Sequence, residues 1–278
     1  MNRMNKKTAV LDVGGTFIKH ALFIDGGIIP DSRQTTPIDE KADVQAVVDV
    51  LIQCAGQADQ VSVCMPGPMD YTKGKSLMRH KFQALYNVEL KPILEKRTGV
   101  LWNFTHDVVS YLAGVLNLGE GHEAHCPAAV TLGTGLGYAF AKDGIIQKNE
   151  LGSPVHPLWN QPCGEGIVED FVSARGLTKQ YEKLTGRHLS ALKISQHAQA
   201  GEMEAVSVFT EMGTVLGAAL EERIHEDGID LVILGGQVSR SAELFLPHLQ
   251  RELSIPVIVT KHLNDAPLYG AFSVCTQE

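Results

Sequence analysis

Three apolar strands in this chain end in glycines: at Gly14-Gly15, at Gly133-Thr134-Gly135-Leu136-Gly137 and at Gly235-Gly236. The elements around them recur in one rhythm. Residues 10–23 read as two strands joined by the first turn, and residues 128–132 pass through the second turn into a strand over 138–141. After each hairpin, helices and strands alternate. Helical spacing is predicted over 42–54, 87–98, 165–184, 192–200, 202–225, 241–253 and 266–274, and from 108 onward. The last of these carries Val108, Tyr111, Leu112, Val115 and Leu116 on the 3.6-residue period, with Gly119 and Gly121 as its stop. Strands are predicted over 60–65, 100–105, 231–234 and 256–260. Residues 70–86 are expected to be irregular and exposed. A hairpin followed by alternating helices and strands, occurring twice, predicts an α/β fold with two related halves. The 278 residues suit two domains of ordinary size. The expected hinge is near Asp107, giving a small domain over 1–106 and a large one over 107–265.

Charge and apolar patterning exclude several function classes. The net charge is -8 and no basic stretch exceeds a few residues. Nucleic acid and anionic membrane surfaces are therefore poor partners. No uninterrupted apolar run approaches the ~20 residues of a membrane helix. The polar first residues lack a signal-peptide core, so a cytoplasmic location is expected. Cys54, Cys64, Cys126, Cys163 and Cys275 are widely spaced and form no CxxC pair, which reads as reduced thiols.

The glycine turns suggest chemistry. Without side chains in the way, backbone N–H groups in such turns can converge on an anion. Asp12, at a strand end, offers a carboxylate for hydrated Mg²⁺, and Thr16 offers a hydroxyl for phosphate oxygens. An ordinary hairpin turn with a locally bonded Asp explains the same residues. The second turn imitates a dinucleotide fingerprint, but Tyr138-Ala139-Phe140-Ala141 has strand propensity where that fingerprint opens a helix. A dinucleotide-dependent oxidoreductase rests on that loop alone. Gly235-Gly236 lets a flat ligand lie on the backbone, or simply makes a tight strand-to-helix turn.

Taken in order, DVGGT (Asp12 to Thr16), TLGTGLG (Thr131 to Gly137) and ILGGQVS (Ile233 to Ser239) resemble the two phosphate motifs and the adenosine motif of the actin/hexokinase/Hsp70 superfamily. Within it the chain resembles the ROK family of repressors, open reading frames and sugar kinases. PGP at Pro66 to Pro68, ELG at Glu150 to Gly152 and FVSARGL at Phe171 to Leu177 fit as well. The resemblance implies two RNase H-like, actin-like ATPase domains closing on a cleft, with the helix over 266–278 returning to the first domain. It implies ATP and Mg²⁺ as cofactors, a sugar as the other substrate, and a homodimer. Phosphate and nucleotide contacts are expected from Asp12, Gly14, Gly15, Thr16, Gly133, Thr134, Gly135, Gly235 and Gly236, with Mg²⁺ held through water by Asp12. Asp107, after a strand and before a helix, matches the family's catalytic base; the alternative is a helix cap. His106, Asp107, Glu150 and Glu169 are the expected sugar ligands.

The sequence also departs from the family. His106 stands where sugar kinases usually carry Asn. Ser153 replaces the His of E-x-G-H. The zinc motif shrinks to a segment with Cys163 alone. Cys163 and His156 are too few for a tetrahedral site, so no structural zinc is expected. The reading is an ATP-dependent kinase acting on a hexose or hexose derivative. The alternative is a non-catalytic sugar sensor acting through a protein partner. The few residues ahead of DVGGT are expected to be too short for the winged-helix domain of the family's repressors.

Overall fold

The computed structural model describes residues 6–79 and 81–276, with the side chains of 274–276, including the Cys275 thiol, outside the description. The chain divides into two compact units.

Unit 1 holds a six-stranded sheet. Its strands are β1 (Thr8–Val13), β2 (Phe17–Ile24), β3 (Gly27–Ile28), β4 (Gln34–Pro37), β5 (Gln60–Met65) and, beyond a small β6–β7 ribbon (Met69–Asp70 and Lys75–Ser76), β8 (Leu101–His106). The order is β3-β2-β1-β5-β8, with β4 also on β2. β1 and β2 are antiparallel around the first glycine turn, while β1, β5 and β8 run parallel. All six residues of β5 are buried, as a central parallel strand requires. Helix α1 (Val44–Ala55) starts on an Asp43 cap bonded to the Ala46 N–H. Helix α2 (Leu90–Thr98) ends on Gly99 at φ 73°, a left-handed stop that suits glycine. Helix α3 (Asp107–Asn117) follows β8 without a loop.

Unit 2 repeats the plan. Strands β9 (Pro127–Leu132) and β10 (Leu136–Lys142) form the antiparallel hairpin around the second turn, extended by β11 (Ile145–Ile146). A small ribbon, β12 (Pro162–Cys163) and β13 (Gly166–Ile167), comes next. β14 (Leu231–Gly235) and β15 (Val257–Val259) add in parallel, so the order is β11-β10-β9-β14-β15. Helices α4 (Glu169–Val172), α5 (Ala174–Thr185), α6 (Ala191–Gln199), α7 (Met203–Asp227) and α8 (Ala242–Glu252) complete the unit. Among the described residues α7 alone is long and apolar enough to cross a membrane, but its apolar positions are buried against α5, α6 and α8.

The last helix, α9 (Ala266–Thr276), belongs to unit 1. Phe23 stacks on Phe272 with ring centroids 4.7 Å apart and meets Tyr269 edge-on at 5.3 Å. The Ser62 hydroxyl donates to the Ala271 carbonyl at 2.6 Å. Against α3 the two backbones touch. A Cβ on Gly114 would lie 1.8 Å from the Ala266 carbonyl oxygen, and one on Gly270 would lie 1.7 Å from that of Ser110.

Three expectations change. The boundary falls after Gly119, not before Asp107, because α3 packs on α9 inside unit 1; residues 148–155 also join unit 1. Residues 70–86 are exposed only in part: Asp70, Tyr71, Met78, Phe82 and Leu85 are buried, while Thr72, Lys73, Arg79 and Tyr86 are exposed. The helix expected over 165–184 breaks at Ser173, whose extended backbone and side-chain bond to the Gly176 N–H start α5 afresh.

Candidate active site

Sheet register lines up the first group. In unit 1, Asp12 pairs with Cys64 across β1 and β5, Cys64 with Thr105 across β5 and β8, and Met65 with His106. Asp12 and the β8–α3 junction thus share one end of the sheet, the carboxyl end of its parallel strands, where α/β sheets bind ligands.

Asp107 opens α3. Its Oδ1 accepts the Val108 N–H at 2.7 Å and lies 2.7 Å from His106 Nδ1, which donates to it. Burial pushes this carboxyl up, but His106, the Val108 N–H and the charge of Lys81 outweigh it and hold Asp107 below the usual carboxylate range. Asp107 is therefore an ionised carboxylate at neutral pH, with a side chain that is 43% exposed. The cap position is His106; Asp107 is the first helical residue, and the Val108 N–H and His106 Nδ1 both meet its Oδ1.

The wall beside it is tightly built. The Tyr71 hydroxyl donates to the Met65 carbonyl at 3.0 Å, and its ring lies 5.5 Å from that of His106. A Cβ on Gly67 would meet both that hydroxyl and the His106 ring, at 3.1 and 3.4 Å. The Tyr71 N–H bonds the Leu151 carbonyl at 2.9 Å, which fastens the loop carrying Glu150 and Ser153 to unit 1. Glu150 itself is exposed. Tyr71 escapes sequence reasoning because it lies in a stretch without periodicity.

Asp12 behaves oppositely to Asp107. Burial raises its carboxyl to about 6; Lys19 pulls it down and the negative charge of Asp107 adds to the rise. The Cys64 thiol donates to its Oδ1 at 3.6 Å. A carboxylate disfavoured by burial and by a second carboxylate is one that a nearby cation would stabilise. The strain has a measurable consequence. A raised folded-state value means that the native state holds a proton which the unfolded state releases above pH 3.8. Stability therefore falls as pH rises from about 4 through 6, and the full penalty is present at pH 7. Asp12→Asn should stabilise the ligand-free protein by on the order of 1–2 kcal/mol at pH 7.5 and not at all below pH 4. Thermal melts across that range check it; equal midpoints at pH 7.5 refute it.

Unit 2 brings the other two glycine motifs together. Gly236, at φ 82°, sits so close to the end of β9 that a Cβ would lie 2.3 Å from the Leu132 carbonyl oxygen. The Ser239 hydroxyl donates to the Gly235 carbonyl at 2.6 Å. The Gly133 N–H bonds the Gly135 carbonyl at 3.0 Å, and the Ala174 N–H bonds the Gly133 carbonyl at 2.8 Å, tying the turn to the start of α5. Glu169 braces this turn. Its Oε2 accepts the Leu136 N–H at 2.9 Å and its Oε1 accepts Arg175 at 2.8 Å. A hydroxyl seeking Glu169 would compete with both. Arg175 was visible in FVSARGL, but nothing in its spacing pointed to a role.

In unit 1, Gly14 and Gly15 are less tightly confined: a Cβ would stand 3.1 Å from the Phe17 carbonyl oxygen or from a Glu40 carboxylate oxygen. Thr16 is exposed at the tip of that turn. Cys163 and His156 do not meet in a ligand cluster. His156 Nδ1 lies 2.6 Å from Oδ1 of the buried Asp227, whose other oxygen accepts the Tyr138 hydroxyl at 3.0 Å. Among the described residues no three His, Cys, Asp or Glu side chains form a metal-binding group.

The profile of the ROK family matches residues 8–278. The chain belongs to the ROK family. Among ROK relatives, a glucokinase from Thermotoga maritima is 26% identical over 95% of each chain. A beta-glucoside kinase from Listeria monocytogenes is 24% identical over 98% of each. A solved ROK family glucokinase from Streptomyces griseus, in complex with glucose and AMPPNP, superposes with a TM-score of 0.82 at 20% identity, covering 98% of this chain and 100% of that one. The actin-like ATPase fold of ROK glucokinases is therefore the fold of this chain.

Proposed function

We propose that the protein is an ATP-dependent sugar kinase that phosphorylates a hydroxyl of a hexose or hexose derivative. The observation that carries this reading is the ionised, half-exposed Asp107 at the start of α3, oriented by His106 and by the Val108 N–H. A sugar hydroxyl is too weak an acid to attack unaided. Asp107 orients it and takes its proton as the new O–P bond forms. Glu150 and the second ring nitrogen of His106 supply further hydrogen bonds to the sugar. Gly14, Gly15 and Thr16 in unit 1, and Gly133 to Gly135 in unit 2, offer backbone N–H groups and hydroxyls to the phosphates, with Gly235-Gly236 for the adenosine. Mg²⁺, when bound, neutralises phosphate charge, and Asp12 would hold it through water. Glu169 is better accounted for as the brace of the second phosphate turn than as a free sugar ligand.

A coupled ADP-release assay tests the reading across glucose, mannose, fructose, allose, N-acetylmannosamine, N-acetylglucosamine and phosphorylated disaccharides. Sugar-dependent ADP release is expected for at least one. Sugar binding without turnover on any of them would replace the kinase by a sensor. The purified protein should carry no stoichiometric zinc, because among the described residues Cys163 belongs to no metal-binding group and His156 is engaged by Asp227. About one zinc per chain in elemental analysis would overturn that expectation.

A further inference from the structure

Arg175 sits on the first turn of α5, beside the second glycine turn. Its Nε donates to the Thr134 carbonyl at 3.1 Å and one terminal nitrogen donates to Glu169 at 2.8 Å. The first bond fixes the guanidinium against the turn itself; the second holds it to the carboxylate that braces the turn. These bonds use two of five N–H donors. The side chain is nevertheless 62% exposed and lines a cleft of about 490 Å³ that opens on Thr134.

The cleft carries two cationic side chains. Lys179 lies four residues along α5 from Arg175, on the same face of the helix, and also lines it. The hydroxyls of Thr134 and Thr178 and the ring of His188 complete this side. The acid on the same wall, Glu182, is taken by His188 Nδ1 at 2.7 Å. A purely structural brace would account for the bonds to Thr134 and Glu169, but it would not need a permanent cation that faces open space. With the Arg175 end open to solvent the pair is weak, so a phosphate chain bearing several charges competes with it.

Resting on the kinase reading, we propose that Arg175 is a ligand for the donor's phosphate tail, parked on Thr134 and Glu169 until the nucleotide arrives. A guanidinium presents a planar fork that phosphate oxygens accept in pairs. Parking it on the turn that offers its own N–H groups to the phosphates places cation and amides against the same oxygens. The ligand class is a nucleoside triphosphate read through its terminal phosphates, with Lys179 adding charge further along the cleft.

Binding of AMPPNP, ADP and adenosine to the full chain, by calorimetry, separates this from a structural role. Arg175→Ala should weaken AMPPNP about 30-fold or more and ADP less, with adenosine within twofold of the parent protein. Arg175→Lys retains a cation but loses the fork, and should weaken AMPPNP about tenfold. Inorganic tripolyphosphate should compete with AMPPNP in the parent protein and far less in Arg175→Ala. The proposal fails if either variant binds AMPPNP within threefold of the parent protein. It fails equally if adenosine weakens in step with AMPPNP, because then the cleft itself has changed. A parent protein that binds none of these nucleotides overturns the kinase reading along with the proposal.

Discussion

Asp107→Asn should lower turnover by about three to four orders of magnitude while leaving sugar and nucleotide binding within a few-fold. The substitution keeps the shape and an oxygen for the Val108 N–H, so α3 still starts where it does. It removes the one property that the chemistry needs, a negative oxygen able to take a proton. General-base catalysis contributes typically 10²–10⁴ in rate, and a hydroxyl that must also be aligned for in-line attack draws on the upper part of that range. The pH profile separates the two carboxylates. Asp107 is held below the ordinary range, so it stays ionised through any assay above pH 5. An acid limb near pH 6 in kcat/KM for ATP would belong to Asp12, whose burial raises it to about 6. That limb should persist in whatever activity Asp107→Asn retains and vanish in Asp12→Asn. Retention of more than a tenth of normal turnover by Asp107→Asn would remove Asp107 from the mechanism.

Gly114→Val should be the most damaging single substitution for stability. Even a Cβ at Gly114 would lie 1.8 Å from the Ala266 carbonyl oxygen, which is backbone and cannot rotate away. The helices must separate, and the stacked Phe23–Phe272 pair and the Ser62–Ala271 hydrogen bond open with them. Overpacking typically costs 1–3 kcal/mol when side chains can adjust. Here two backbones collide, so about 3 kcal/mol or more is expected, which lowers Tm by roughly 10 °C in a chain of this size. Gly270→Val should behave alike. Asn117→Ala, exposed on the same helix, should fall within about 0.5 kcal/mol of the parent protein. A Gly114→Val protein with unchanged Tm would show that the α3–α9 contact is looser than described.

What the sequence made legible was local. The first two glycine turns read as hairpins and the third as a strand end because the residues on either side decide the matter, and Gly99 stopped α2 because only its own φ is involved. Asp107 at a strand–helix junction was visible for the same reason. What stayed hidden depends on distant partners. Gly114 and Gly270 look like helix-weakening residues until α3 and α9 are seen in contact. The loop with Glu150 joins unit 1 through a backbone bond to Tyr71, eighty residues earlier in the chain. Arg175 stood in a recognised motif, yet its relation to Thr134 and Glu169 is purely spatial. Ser173 shows a smaller failure: the helical period ran through it, and only its cap bond to Gly176 reveals the break.

The docking of α9 fixes an order of events during synthesis. Unit 1 carries Asp12 and Asp107, but α9, which walls the helix that Asp107 begins, is translated only after the whole of unit 2. A nascent chain still on the ribosome thus has the Asp107 helix with one flank uncovered, whatever unit 2 has achieved by then. The Asp107 end of unit 1 is finished last, and a chain stalled or clipped before α9 would offer Phe23 and the bare face of α3 to chaperones and proteases.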